Sequence, residues 1–202
     1  MIKKLSKKAS LLSALVLTMA LFAGCSNEKE NQKVADIEVK TIATKELQDK
    51  LSDDSWVVVD TRINDAFNGW KLDEVERGGH IKGAVDFSAN WLTVDSKDKE
   101  KTLDKALETK GIEKDKNIVL YDANGKDAKE VANYLSEKGY KNLYTYNVAD
   151  WAKDESLPME SYENYEMIVP ATIVNDILDG KKPETFENSK NIKIVEDRIN
   201  IN

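Results

Sequence analysis

The 202-residue sequence contains one cysteine and one histidine, and these shortages exclude several kinds of chemistry. Because Cys25 has no second cysteine to pair with, the chain can form neither an internal disulfide nor a Cys-x-x-Cys redox pair. A lone His80 cannot complete a metal site, since protein zinc sites use three or four side-chain ligands. We therefore predict that the protein binds no metal and no cofactor, and no cysteine nucleophile lies after residue 25.

Basic residues are scarce relative to acidic ones. The chain has 30 Lys and Arg against 37 Asp and Glu, and removal of residues 1–24 with their four lysines would change its formal charge from -7 to -11. Nucleic acid is not an expected partner, because its binding requires a basic surface. Anionic lipid also repels such a chain, so a membrane attachment would need an acyl anchor rather than a basic patch.

The first 25 residues have the pattern of a targeting segment. Four lysines precede an apolar stretch over residues 11–22, which is shorter than the roughly 20 residues that a spanning helix needs. The stretch ends in Leu-Phe-Ala-Gly-Cys, which resembles a bacterial lipobox, so residues 1–25 are predicted to be a lipoprotein signal peptide. This resemblance implies that Cys25 is lipidated and that the exported protein is anchored in the cell membrane, facing outside the cytoplasm. The alternative is an ordinary secretory signal with an incidental cysteine; residues 26–35 are a predicted tether.

Apolar runs and amphipathic stretches alternate between residues 36 and 160. Residues 56–60, 117–121 and 143–146 are short apolar runs, typical of strands that are covered on both faces. Helices are predicted over residues 45–51, over residues 102–110 and after Asp127. Thr44 is the predicted cap of the first of these helices. The alternation predicts an α/β fold in which a parallel sheet carries helices on both faces.

A six-residue loop joins the second of these strands to the helix after it, and we call it the 122–127 loop. Such a strand–loop–helix unit directs backbone N–H groups at one point, which suits a bound anion or a reactive thiolate. The spacing of Asp127 and Glu130 predicts an Asp-led capping box at the start of the helix. The loop consists of Asp122, Ala123, Asn124, Gly125, Lys126 and Asp127.

Three motifs resemble those of the rhodanese family, over residues 36–160. They are Asp60-Thr-Arg62 after the first long strand, residues 78–84 (GGHIKGA), and the 122–127 loop itself. The resemblance implies a rhodanese-like fold in which Asp60, Arg62, Gly79, His80 and Gly83 are structural. Family members begin this loop with a nucleophilic cysteine and carry an arginine near its end. Those two places are held here by Asp122 and Asp127, and a glycine pair further on is replaced by Tyr146 and Asn147.

These replacements imply a degenerate active-site loop without a catalytic residue. Asp122 is expected either to satisfy the loop amides or to act as a base or as an internal occupant of the anion site. The predicted function is accordingly a membrane-anchored, inactive rhodanese-like domain. It would have a binding or scaffolding role toward an unknown protein or a small anion.

Residues 161–202 resemble a linker followed by the opening of a second rhodanese-like repeat. Ala171-Thr172 and the apolar residues after it parallel Ala43-Thr44, and residues 192–200 parallel residues 57–64. An alternative function follows, in which the chain is the N-terminal part of a tandem thiosulfate sulfurtransferase whose active cysteine lies in a missing second module. The other interpretation of this segment is an unrelated C-terminal helix and tail.

Overall fold

A computed structural model describes residues 39–183 and residue 186. The predicted signal peptide with Cys25, the predicted tether and the predicted strand at 192–195 lie outside the described residues. The strands are β1 (Lys40–Thr41), β2 (Trp56–Asp60), β3 (His80–Ile81), β4 (Val85–Asp86), β5 (Asn117–Asp122), β6 (Leu143–Asn147) and β7 (Met159–Glu160). The helices are α1 (Thr44–Lys50), α2 (Asn64–Asn68), α3 (Lys99–Thr109), α4 (Asp127–Glu137), α5 (Val148–Ala152) and α6 (Ala171–Leu178).

The predicted parallel sheet is confirmed. Its strand order is β1-β6-β5-β2-β4 with every neighbouring pair parallel, while β3 and β7 form a separate antiparallel pair. Strand β5 lies at the centre, with Tyr121 in register with Asp60 on one side and Tyr146 on the other. The carboxyl ends of β2, β5 and β6 therefore meet at one edge of the sheet, where α/β proteins place their sites.

Helices cover both faces of the sheet, because successive side chains of a buried strand point to opposite sides. One face packs against α3 and α4, and the other against α1 and α5. Burial of each large aliphatic side chain in these layers contributes about 1.5–3 kcal/mol. The first layer includes Val59, Ile118, Leu120, Leu103, Leu107, Val131 and Leu135, and the second includes Val58, Val119, Tyr121, Leu47 and Trp151.

The starts of two helices that precede or follow β2 in the chain, α1 and α3, differ from the prediction. Helix α3 begins at Lys99 rather than residue 102. Thr44 is the first residue of α1 and does not cap it, because its hydroxyl is hydrogen-bonded to the Tyr146 hydroxyl at 2.9 Å instead. The Thr44 hydroxyl thus bonds a side chain 102 residues away in the chain rather than the backbone of its own helix.

The segment after β7 packs on the sheet domain around Trp70. The Trp70 indole N–H donates to the Ile168 carbonyl at 3.0 Å, and the ring of Tyr165 meets that of Trp70 edge-on. The Tyr162 amide donates to the Asn68 carbonyl at 2.8 Å, and Ile173 of α6 is buried. The first element of the predicted second repeat is therefore a helix whose Ile173 side chain is buried. In the part of the chain described, no helix is both long and apolar enough to cross a bilayer.

Candidate functional site

The 122–127 loop turns back on itself so that Asp122 bonds the backbone of the residues that follow it. One carboxylate oxygen accepts from the Gly125 amide at 2.7 Å, and the other accepts from the Ala128 amide at 3.0 Å. Asp122 is only 1% exposed, so these bonds compensate the burial of its charge. The carboxylate thus occupies the point at which the loop and the start of α4 direct their N–H groups.

The predicted capping box of Asp127 and Glu130 is wrong. Lys126 is the residue before α4, Asp127 is already helical, and no side chain of the N-cap residue bonds the first turn. The amide that a cap would satisfy belongs to Ala128, and Asp122 reaches it from six residues upstream. The capping box does not form because the loop places the more strongly buried Asp122 carboxylate at the same helix end.

Acidic side chains surround the loop. Burial raises the pKa of Asp127 above its ordinary value, and the charges of Asp122 and Asp73 raise that pKa further. Asp73 reaches this neighbourhood from the segment before β3, where Asp73 and Glu74 both have positive φ angles, of 56° and 59°. These carboxylates disfavour an anion at the loop, and the charge of Lys126 acts in the opposite direction.

Asp60 and Arg62 form a buried ion pair beside this loop, at the carboxyl end of β2. Arg62 Nη2 donates to Asp60 Oδ2 at 2.6 Å and to the Gly79 carbonyl at 2.7 Å, and Arg62 Nε donates to Asp60 Oδ1 at 3.0 Å. Burial lowers the pKa of Arg62, but the bonds to Asp60 outweigh it and raise the pKa overall. The Tyr121 hydroxyl accepts from the Ile81 amide at 3.2 Å, and burial, with the Asp60 charge next, raises its pKa well above the ordinary value.

His80 and the glycines beside it belong to the same buried structure. His80 Nδ1 lies 2.8 Å from the Phe67 carbonyl oxygen, and its ring stacks on that of Phe67 with centroids 3.8 Å apart. Gly79 has a φ of +87°, and a Cβ there would collide with the Glu160 backbone, so no other residue fits easily. Gly83, also at positive φ, forms the turn between β3 and β4.

An open cavity of about 530 Å³ adjoins the 122–127 loop. The Tyr146 side chain, held to Thr44, packs into its wall, and burial raises the pKa of its hydroxyl. Asn147 caps α5 by accepting from the Ala149 amide at 2.9 Å, a role that the asparagine before a helical stretch could have indicated. The lining includes Thr41, Thr44, Asp122, Asn124, Tyr146 and Asp150.

Sequence reasoning missed two residues that position this region. Asp73 has no local signal in the sequence, since its effect on the pKa of Asp127 acts across the fold. Arg77 donates hydrogen bonds to the carbonyls of Trp151, Ala152, Asp154 and Leu157, and so ties the segment before β3 to the end of α5. An arginine near a helix carboxyl end is a recognised cap, but its sequence position gave no sign of this target.

Among the residues that the structure describes, the 122–127 loop carries no thiol. A carboxylate bonded to two amides is a weak nucleophile without an activating partner. Within residues 39–183 no three His, Cys, Asp or Glu side chains are grouped so that they could hold a metal ion. What the site offers chemically is a set of filled amides, an acidic rim and an adjoining cavity.

The chain belongs to the rhodanese-like domain family. A family model described as "Rhodanese-like domain" matches residues 43–152, which is more than half of the chain. The match begins before α1 and ends with α5, and it therefore includes Asp60, Arg62, His80 and the whole 122–127 loop. No curated protein sequence matches the chain.

Solved structures of the enzyme EanB are similar to this chain. The wild-type enzyme is 30% identical over 75% of this chain, with a TM-score of 0.66. The anaerobic ergothioneine biosynthesis enzyme from Chlorobium limicola, bound to its natural substrate trimethyl histidine, is 30% identical over 74% with the same score. An EanB variant in which ergothioneine is covalently linked to a persulfide cysteine is also 30% identical over 74% of this chain, with a TM-score of 0.66. The chain spans 34% of the length of each of these structures.

Proposed function

We propose that this chain is a catalytically inactive rhodanese-like domain with a binding or scaffolding role. Asp122 occupies the position at which active relatives carry the nucleophilic cysteine. The observation that carries the proposal is that both Asp122 carboxylate oxygens accept hydrogen bonds from the loop amides. The loop therefore satisfies its own anion-binding groups.

Sulfur transfer needs a sulfur atom that can form a persulfide, as in the EanB variant with its persulfide cysteine. An aspartate cannot form one, and Cys25 is the only cysteine of this chain. Cys25 precedes the region matched by the family, which begins at residue 43. The chain therefore lacks the atom that the chemistry requires at this edge of the sheet.

The acidic surroundings support a protein partner over a small anion. The charges that raise the pKa of Asp127 would also repel an anion such as thiosulfate at the mouth of the loop. We therefore assign the binding role to the surface that surrounds the 122–127 loop, by analogy with the position of ligands in open α/β sheets.

The proposal includes an acyl anchor at Cys25 and a location outside the cytoplasm. Its support is the resemblance of residues 21–25 to a lipobox. Metabolic labelling with a fatty acid, followed by membrane fractionation, tests it. Loss of label and of membrane attachment in Cys25→Ala is the expected result, and an unlabelled wild-type protein would contradict the anchor.

In a second candidate function, the chain is the N-terminal part of a tandem thiosulfate sulfurtransferase. Two observations favour it. The matched part of this chain covers only 34% of the length of the similar solved structures, and α6 begins at Ala171-Thr172, the predicted counterpart of Ala43-Thr44. In this case the cysteine would be supplied by a second module. An in-frame coding sequence downstream that contains such a cysteine would favour this candidate.

Thiosulfate-to-cyanide transfer by the purified chain tests the main proposal. We expect no turnover by the wild type, little by Asp122→Cys, and more by the double variant Asp122→Cys/Asp127→Arg. In the single variant, the negative charge of Asp127 would raise the pKa of the new thiol and repel thiosulfate. Clear wild-type turnover would contradict the proposal, and robust activity of the single variant would contradict the electrostatic argument.

A further inference from the structure

The sequence contains two Asn-Gly pairs, Asn68-Gly69 and Asn124-Gly125, which the fold places in opposite environments. In such a pair the glycine nitrogen can attack the asparagine side-chain carbonyl, because no Cβ on the second residue obstructs the approach. The reaction requires a backbone that can bring these two atoms together. The two pairs therefore form an internal comparison with the same chemistry.

The backbone around Asn68 is fixed on every side. The Gly69 amide donates to the Asp65 carbonyl at the end of α2, and the Asn68 carbonyl accepts from the Tyr162 amide. The ring of Tyr165 lies directly over Gly69, where even a methyl group would collide with it. Gly69 is also buried. Closing a ring at this position would require the segment after β7 to separate from α2.

The backbone around Asn124 is open. Asn124, Gly125 and Lys126 are exposed, and no heavy atom of the described residues lies within 4 Å of the position that a Cβ on Gly125 would take. The Asn124 side-chain oxygen accepts from the Lys126 amide at 3.0 Å. That bond folds the side-chain amide back over its own backbone and polarises the carbonyl that would be attacked.

Asp122 adds the feature that distinguishes this loop from an ordinary exposed Asn-Gly pair. Its Oδ1 accepts the Gly125 N–H at 2.7 Å, so a carboxylate already holds the proton that the attacking nitrogen must lose. This distance is within the range over which a general base acts. A nucleophile, an electrophile and a proton acceptor thus lie on four consecutive residues.

We propose that Asn124 is a site of spontaneous deamidation and that Asp122 promotes the reaction. The Gly125 nitrogen forms a bond to Asn124 Cγ, and the bond from Cγ to Nδ2 breaks. The proton lost by Gly125 leaves with the side-chain nitrogen as ammonia, and a cyclic imide results. Addition of one water molecule then opens the imide to aspartate or to isoaspartate, so the sequence consumes water and needs no oxidant or reductant.

The product alters the candidate site itself. Either opening adds a negative charge between Asp122 and Asp127, which strengthens the acidic rim. The isoaspartate route also inserts a methylene group into the loop backbone and displaces the amide that Asp122 binds. The surface to which we assign the binding role therefore changes with the age of the protein.

Peptide mapping by mass spectrometry tests the inference on the purified full chain, incubated under mildly alkaline native conditions. We expect peptides with Asn124 to convert to a mixture of aspartate and isoaspartate, with loss of ammonia, while peptides with Asn68 persist. A parallel incubation in urea is the control, and there both pairs should convert at similar rates. Equal conversion of the two pairs in the native protein, or persistence of Asn124, would overturn the inference.

Two variants separate the parts of the argument. Asn124→Gln should abolish conversion at position 124, because its longer side chain disfavours the cyclic imide. Asp122→Asn keeps an oxygen acceptor but lacks a basic carboxylate, and it should slow conversion of Asn124 several-fold without affecting Asn68. An unchanged rate in Asp122→Asn would overturn the role of Asp122. Site-resolved mapping is needed because Asp179-Gly180 can also form isoaspartate.

Discussion

Asp60 and Asp122 end neighbouring strands of the same sheet, but their charges are compensated by different groups. The carboxylate of Asp60 bonds the guanidinium of Arg62, a side chain of opposite charge that is itself buried. The carboxylate of Asp122 bonds only backbone amides, and its charged neighbour Asp127 has the same sign. Asp60 thus belongs to an internal ion pair, while the Asp122 carboxylate occupies the anion-binding amides of its own loop.

The difference shows which of the two carboxylates helps to hold separate segments of the fold together. Arg62 also bonds the Gly79 carbonyl, so the ion pair ties β2 to the segment that enters β3. Asp122 bonds only residues three and six positions further along the same loop and helix. Damage to the ion pair should therefore destabilise the whole fold, whereas damage to Asp122 should remain local.

The largest effect is expected for Arg62→Met, which leaves the Asp60 carboxylate buried without its partner. Removing one member of a buried ion pair costs about 3–5 kcal/mol, because an uncompensated charge stays in the interior. The free energy of unfolding from urea denaturation measures this. The matched control is Lys105→Met, which breaks the exposed pair with Glu108 and should change stability by about 0–1 kcal/mol. Equal losses in the two variants would contradict the comparison.

A smaller loss of stability is expected for Asp122→Ala. The Ala128 amide loses its acceptor in a buried position, which costs about 1–3 kcal/mol, whereas the exposed Gly125 amide can bond water. Asp122→Asn keeps one acceptor oxygen and should lose less. Hydrogen exchange should show faster exchange at Gly125 and Ala128 while the strand amides of β2 stay protected. A loss of unfolding free energy as large as that of Arg62→Met would contradict the expectation that the effect of Asp122 is local.

The smallest effect is expected for Asp127→Asn, and its size depends on pH. Because burial and the charges of Asp122 and Asp73 raise the pKa of Asp127, the folded protein binds a proton there more tightly than the unfolded chain does. The group therefore contributes stability below the unfolded pKa, and the contribution is lost as pH rises through the folded pKa. Asp127→Asn should raise the urea midpoint at neutral pH and leave it unchanged below the ordinary pKa of aspartate. An advantage confined to acid would contradict the argument.

Sequence patterns predicted the elements of this fold well because those patterns reflect burial. The apolar runs at 56–60 and 117–121 became β2 and β5 to within one residue, since a strand covered on both faces leaves few other choices. The loop between β5 and α4 was predicted at the correct place for the same reason. The structural role predicted for Asp60 and Arg62 followed from their place in a motif after a strand.

The hydrogen bonds of individual polar side chains were harder to predict, because they depend on the completed fold. Asp122 and Asp127 are both acids near the start of α4, and only the path of the loop decides which of them reaches the Ala128 amide. Thr44 had a local backbone to cap but bonds the distant Tyr146 hydroxyl. Asp73 affects Asp127 across the structure, so no local pattern could have indicated it.

The most direct test of the account is an NMR titration with thiosulfate that follows the amide resonances of Gly125 and Ala128. In the wild type these amides are already bonded by Asp122, so thiosulfate should leave both resonances in place. In the double variant Asp122→Ala/Asp127→Asn the amides are free and the rim is less acidic, so both resonances should shift in a saturable way. Saturable shifts in the wild type would contradict the claim that the Asp122 carboxylate fills the anion site.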